Sequence, residues 1–208
     1  MARFVISGTG TDIGKTVFAA GLTGLIGADY WKPIQTGVSL GDPDAPRDAG
    51  FVARMTGARI HPEAVILPEP LSPHRAAELA GVTIDPAAID PPDADPLVIE
   101  GAGGVLVPVT RDLLSADLFA RWGIPVILCA TTGLGTISYT LSAIESLRAR
   151  GCPLHGVAFI GDDNPDNIAT IGQIGGVRVL GRLPRLPDLT PEALATAMRD
   201  NFDAGDFA

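Results

Sequence analysis

Two cysteines among 208 residues are too few for a disulfide framework or a four-ligand zinc site. Cys129 falls inside the apolar run Val126-Ile127-Leu128-Cys129 and reads as a buried thiol, while Cys152 follows Gly151 in a turn. A reducing compartment is the expectation. Basic residues are also scarce. Fifteen Lys and Arg stand against 24 Asp and Glu, a net charge of −9, which lacks the basic footprint that nucleic acid or an anionic membrane needs. Small anions are not excluded, because backbone N–H groups and a few local lysines hold them whatever the global sign. No apolar run approaches membrane-spanning length, and the chain passes from Arg3 through Phe4-Val5-Ile6 into a glycine loop, too short for a signal-peptide core. The expected setting is the cytoplasm, with no nucleic acid and no membrane as partner. Aromatics make up 5% of the residues against 46% hydrophobic in all. The core must therefore be built from Val, Ile, Leu and Ala, the usual filling of an α/β sheet.

Short apolar runs alternate with segments of helical period, the pattern of a mostly parallel sheet covered by helices on both faces. The runs predict strands over Arg3–Ser7, Asp29–Lys32, Leu97–Glu100, Pro125–Ala130, Gly156–Ile160 and Val177–Gly181. Helices are expected over Lys15–Ile26, Asp48–Thr56, Pro73–Ala80, Ser115–Trp122, Thr136–Arg150, Pro165–Ile174 and Pro191–Phe202. The stretch Ile84 to Pro96, crowded with Asp and Pro, reads as a connection on the surface rather than a domain linker, because strand-helix alternation continues on both sides. Residues 1–208 are thus expected to form one α/β domain without repeats.

The strongest chemical signal is Ser7-Gly8-Thr9-Gly10-Thr11-Asp12-Ile13-Gly14-Lys15-Thr16-Val17, which follows a strand and opens a helix, the context of a phosphate loop. Gly8, Gly10 and Gly14 let the backbone turn so that consecutive N–H groups face phosphate oxygens. Lys15 suits the β and γ oxygens and Thr16 a magnesium ion. Five residues separate Gly8 from Gly14-Lys15-Thr16, one more than the commonest spacing, which marks a subset of phosphate-loop proteins and a P-loop NTPase-like fold.

Two further segments carry charge to strand ends. Lys32-Pro33-Ile34-Gln35-Thr36-Gly37 follows Asp29-Tyr30-Trp31, so Lys32 belongs at the carboxyl end of a strand, the edge where ligands bind in such sheets. Leu97-Val98-Ile99-Glu100 ends a buried-type strand in a carboxylate, followed by Gly101-Ala102-Gly103-Gly104, and a carboxylate there can hold Mg²⁺. Asp48, after the segment Gly41–Arg47, reads either as a second acidic ligand or as a helix N-cap. His61, His74 and His155 are scattered without metal-ligand spacing, and Tyr30, Trp31 and Trp122 read as packing residues.

Together these segments, with Ser72-Pro73-His74, Gly133-Leu134-Gly135-Thr136 and Gly181-Arg182-Leu183-Pro184, resemble the dethiobiotin synthetase family over nearly the whole chain. The resemblance implies closure of a cyclic urea from 7,8-diaminononanoate, CO2 (or bicarbonate) and ATP, with ATP or another nucleoside triphosphate as co-substrate. Carried over residue by residue, it implies Lys15, Lys32 and Thr11 as the catalytic groups, with Thr36 as a nearby hydroxyl toward substrate. It implies nucleotide contacts from Gly8, Thr9, Gly10, Thr11, Asp12, Ile13, Gly14, Lys15, Thr16, Val17, Asp48, Glu100, Gly161, Leu183 and Pro184. Thr16, Asp48 and Glu100 correspond to the Mg²⁺ set. The resemblance further implies a homodimer, in which a helix start from the partner subunit, matched here by Gly135, Thr136, Ile137, Ser138 and Tyr139, holds the substrate carboxylate. Gly161 stands where some members have Asn, so the choice among ATP, CTP and GTP stays open, and Ser138 stands where Asn is common at the substrate-carboxylate turn.

Two other classes share the phosphate loop. A switch ATPase that positions or partitions cargo generally carries an additional lysine early in the loop, where this chain has Gly8-Thr9-Gly10-Thr11. A glutamine-dependent amide ligase of the cobyrinate type needs a further domain with a nucleophilic cysteine, for which 208 residues leave no room.

Overall fold

A computed structural model describes residues 2–39 and 45–208; the part of the segment Gly41–Arg47 before residue 45 lies outside the described residues. In chain order the elements are β1 (Arg3–Gly8), α1 (Lys15–Ile26), β2 (Asp29–Trp31), β3 (Ile34–Thr36), α2 (Asp48–Thr56), β4 (Ile60–His61), β5 (Val65–Leu67) and α3 (Pro73–Ala80). They continue as β6 (Leu97–Gly104), α4 (Ser115–Trp122), β7 (Val126–Thr131), α5 (Thr136–Ala149), β8 (Leu154–Ile160), α6 (Pro165–Gly175), β9 (Val179–Leu183) and α7 (Pro191–Asn201). Single 3-10 turns lie at Pro86–Ala88 and Ala204–Phe207.

Seven strands form one parallel sheet in the order β4-β2-β6-β1-β7-β8-β9, with β1 at its centre. Side chains alternate across a strand, so each strand feeds two cores. Val5, Trp31, Ile99, Leu128 and Phe159 point to one face, covered by Ala76 and Ala77 of α3, Phe119 of α4, Ile144 and Leu147 of α5 and Ile171 of α6. Phe4, Ile6, Tyr30, Val98 and Cys129 point to the other, covered by Phe18 and Leu22 of α1, Val52 of α2 and Met198 of α7. Burial on both faces is why the strands read as continuous apolar runs. Each fully buried Phe or Leu contributes about 1.5–3 kcal/mol of transfer free energy.

All the expected helices begin where the sequence places them, because their starts carry local signals. Thr190 and Asn164 accept from the N–H groups of Ala193 and Asn167 at 3.2 Å, each followed by Pro at the first helical position. The strands differ more. β6 runs on through its small residues to Gly104, and β9 lies two residues later than expected, at Val179–Leu183 rather than Val177–Gly181. Three short strands have no expectation at all. β4 closes the sheet edge beside β2, and β3 and β5 pair in parallel as a separate two-stranded ribbon. Two or three residues are too few to show a period of two.

The Asp- and Pro-rich crossover is less superficial than its composition suggests. Ile84 and Ile89 are buried in the core. Arg121 donates to the carbonyl oxygens of Pro86 at 2.6 Å and Ile89 at 2.7 Å, and the indole N–H of Trp122 donates to Ile89 at 3.0 Å. The polar composition serves the turns, while two apolar anchors and α4 hold the segment down.

Candidate active site

The phosphate loop leaves β1 at Gly8 and enters α1 at Lys15. The N–H of Thr9 donates to Cys129 of β7 at 3.0 Å, which ties the loop to the neighbouring strand. Gly14 has φ 91°, and Asp12, at φ 54°, is the one non-glycine residue with positive φ among the described residues. Asp tolerates that conformation better than most residues because its short polar side chain bonds locally. The Lys15 stem folds back over Gly8, and its Nζ donates to the carbonyl oxygen of Gly10 at 2.8 Å. A Cβ at Gly8 would sit 2.6 Å from Cδ1 of Ile13 and 2.8 Å from Cδ of Lys15. Burial pushes the Lys15 pKa below its ordinary value, although Glu100 pulls the other way.

The second cation lines the same cleft. Lys32 follows β2, and its Nζ bridges two carboxylates: Glu100 Oε1 at 2.9 Å and Asp48 Oδ2. Lys32 is 6% exposed and Glu100 1%. Burial by itself would lower the Lys32 pKa, but the two carboxylates outweigh it and hold the ammonium above its ordinary value. Asp48 is the first residue of α2 and does not cap it. Arg47 occupies the cap position without a side-chain bond, and the Asp48 carboxylate turns instead toward Lys32 and Thr16. Of the two readings of Asp48, the N-cap is therefore set aside.

Thr16 Oγ1 lies 2.8 Å from Glu100 Oε1 and 3.3 Å from Asp48 Oδ1. One hydroxyl and two carboxylates thus converge from α1, α2 and β6. Hard oxygen donors, few in number and beside a phosphate loop, fit Mg²⁺, which keeps waters and substrate phosphates in its shell rather than a full protein cage. Among the described residues no group of three His, Cys, Asp or Glu side chains forms such a cage.

A cleft of about 800 Å³ opens over these groups. It brings together Thr11, Asp12, Gly14, Lys15, Thr16, Val17, Lys32, Thr36, Asp48 and Glu100, with Ser72 and Pro73 also lining it. Gly8, Thr9 and Gly10 line a smaller neighbouring groove with Tyr139. Ile13 packs against the α1-side core below the loop. Gly161, Leu183 and Pro184 lie outside the cleft, at the ends of β8 and β9, where the N–H of Gly161 donates to Leu183 at 3.0 Å. This strip abuts the loop, since a Cβ at Gly14 would lie 3.0 Å from Cγ2 of Ile160.

The start of α5 is mixed. Gly135 takes φ 89°, and Ser138 and Tyr139 are exposed. Thr136, in contrast, is buried and its hydroxyl donates to the carbonyl oxygen of Thr131. That side chain fastens the turn to β7 and is not free to meet a ligand.

Sequence reasoning missed two groups. Tyr30, read as packing, donates its hydroxyl to Glu100 Oε2 at 2.7 Å. Gln35 reaches into the cleft and accepts the N–H of Asp48 at 3.2 Å through its Oε1, anchoring the start of α2 to β3. The signal for the first was the pairing register of β2 on β6, which a single sequence does not display. His74 sits outside both, with Nδ1 3.0 Å from Ser72 Oγ.

A family model described as an AAA domain matches residues 2–193. Among curated proteins, the ATP-dependent dethiobiotin synthetase BioD of Agrobacterium fabrum is 57% identical, covering 99% of this chain and 96% of its own length. That of Novosphingobium aromaticivorans is 54% identical, covering 100% of both. Among solved structures, the cell division ATPase MinD of Pyrococcus furiosus superposes with a TM-score of 0.55 at 16% identity, covering 95% of this chain and 89% of that one. Chloroplast FtsY of Physcomitrella patens gives 0.51 at 15%, covering 95% and 65%. These two likenesses speak for the P-loop fold alone.

Proposed function

This chain belongs to the family of ATP-dependent dethiobiotin synthetases, and we propose that the cleft between the phosphate loop, Lys32 and Glu100 is where it works. The reaction is an ATP-dependent C–N ligation in biotin synthesis, closing the ureido ring of dethiobiotin from 7,8-diaminononanoate and CO2. One amine takes up CO2 as a carbamate. The carbamate oxygen then attacks the γ-phosphorus and displaces ADP, and the neighbouring amine attacks the carbonyl carbon of the mixed anhydride, loses a proton and expels phosphate.

The difficulty is electrostatic, because an anionic carbamate must approach an anionic triphosphate. Charge neutralisation and alignment are what the protein has to supply. Lys15 and Lys32 line one cleft, so Lys15 suits the β and γ oxygens and Lys32 the carbamate and the transferring phosphoryl group. Thr11 and Thr36 offer hydroxyls on the same walls. Thr16, Asp48 and Glu100 would hold Mg²⁺, which when bound neutralises phosphate charge as a Lewis acid. The observation that carries this assignment is the Lys32 ammonium clamped between Asp48 and Glu100 at the mouth of the phosphate loop.

A homodimer is part of the proposal. Leu134, Tyr139 and Leu106 expose apolar surface, with Tyr139 and Leu106 on the groove beside the phosphate loop, as a helix start reaching a partner's substrate would require. A cytoplasmic setting agrees with two buried, unpaired thiols. No helix among the described residues is long and apolar enough to cross a membrane.

The test is incorporation of labelled bicarbonate into acid-stable product by purified protein, with each triphosphate in turn. Acid destroys free carbamate, so label that survives and depends on both the diamine and a triphosphate supports the proposal and ranks the nucleotides. Triphosphate hydrolysis without label would overturn it.

A further inference from the structure

We propose that Tyr30 is a positioning residue for the metal site, fixing the Glu100 carboxylate so that one oxygen is always turned to Thr16 and Lys32. This rests on the assignment of Thr16, Asp48 and Glu100 as the magnesium set. The two carboxylate oxygens of Glu100 are divided. Oε1 accepts from Thr16 at 2.8 Å and from Lys32 at 2.9 Å, and Oε2 accepts from the Tyr30 hydroxyl at 2.7 Å. A glutamate end group turns freely about its last torsion unless something holds it. Here the holder is a phenol in the sheet itself.

The register makes this contact unavoidable. Tyr30 in β2 pairs with Val98 in β6, and Glu100 is the next residue on the same face. A phenol is long enough to span that diagonal, and both residues are almost wholly excluded from water. No water therefore substitutes for the hydroxyl at Oε2. Trp31, the next residue on β2, pairs with Ile99 and points to the opposite core. The positioning contact belongs to one face of the strand only. Partners that orient ligating groups typically change metal affinity by about 10- to 100-fold when removed.

The experiment measures Mn²⁺ binding by electron paramagnetic resonance, with a non-hydrolysable ATP analogue present, for wild type, Tyr30→Phe, Glu100→Gln and the double variant. Trp31→Phe serves as the same-strand, opposite-face control. Tyr30→Phe should weaken Mn²⁺ binding by about tenfold or more, leave metal-free nucleotide affinity within about twofold, and add little on top of Glu100→Gln, since it acts through that carboxylate. Equal Mn²⁺ affinity in Tyr30→Phe and wild type, with Glu100→Gln weakened, would overturn the inference while sparing the metal set. Unchanged affinity in Glu100→Gln would overturn the metal set itself. Should Tyr30→Phe fail to fold, fluorotyrosine in the native chain gives two separable ¹⁹F signals, buried Tyr30 and exposed Tyr139. The Tyr30 signal should shift when Mg²⁺ joins the bound nucleotide analogue, and a signal unmoved by Mg²⁺ would overturn the inference.

Discussion

Gly8 and Lys15 occupy one space: the lysine stem lies where a Cβ on Gly8 would be, 2.8 Å from Cδ. The glycine is required by its neighbour's path rather than by its own backbone angles. Gly8→Ala should therefore fold, because the atoms it meets belong to flexible side chains, but it should displace Lys15. The expected outcome is nucleotide affinity lower by at least about tenfold, or 1.4 kcal/mol, by titration calorimetry, with a melting temperature within a few degrees of wild type. Undiminished affinity would show that the lysine reaches the phosphates by another path.

Lys32→Gln separates binding from chemistry. Lys32 touches carboxylates and not the phosphate loop, so its loss should lower turnover by about a hundredfold or more, in the range found for lost transition-state donors. Nucleotide affinity should change far less. Full turnover in this variant would remove Lys32 from the chemistry.

Glu100→Gln should raise the magnesium concentration for half-maximal turnover by about tenfold or more, since an anionic ligand becomes a neutral one. An unchanged metal titration would make Glu100 a structural partner of Lys32 and Tyr30 only.

The lowered Lys15 pKa gives a pH prediction. Burial penalises the charged form, so the free protein begins to lose this proton below the ordinary lysine value of 10.5. A triphosphate favours the charged form and restores it. Nucleotide binding at alkaline pH should thus take up protons, read by calorimetry in two buffers of different ionisation heat, and affinity should fall as pH rises through the lowered pKa. Stability runs the opposite way: the free protein carries the full penalty below that pKa and is relieved of it as pH rises toward 10.5. Proton release on binding would refute the assignment of Lys15 to the phosphates.

Arg121→Ala tests the crossover. It removes the hydrogen bonds to Pro86 and Ile89, far from the cleft, and should cost about 1–2 kcal/mol in urea unfolding with kcat unchanged. No loss of stability would mean that Ile84, Ile89 and the Trp122 hydrogen bond hold the segment without Arg121.

The sequence by itself determined the phosphate loop, the helix starts and the strands buried on both faces. Each of these is written locally: glycine spacing, Pro and Asn or Thr at helix starts, and apolar runs whose length exceeds a single turn. It also placed Lys32 at the end of a strand and Glu100 on one, although β6 runs on past Glu100 to Gly104, so both halves of the candidate site were legible as separate charges. What only the tertiary structure decided is who meets whom. That Asp48 pairs with Lys32 instead of capping α2, that Gln35 holds the start of α2, and that Tyr30 reaches Glu100 all follow from the register of β2 on β6 and the short pairing of β3 with β5. Register is fixed by the summed packing of two sheet faces against six or more elements, a sum that no short stretch of the chain contains.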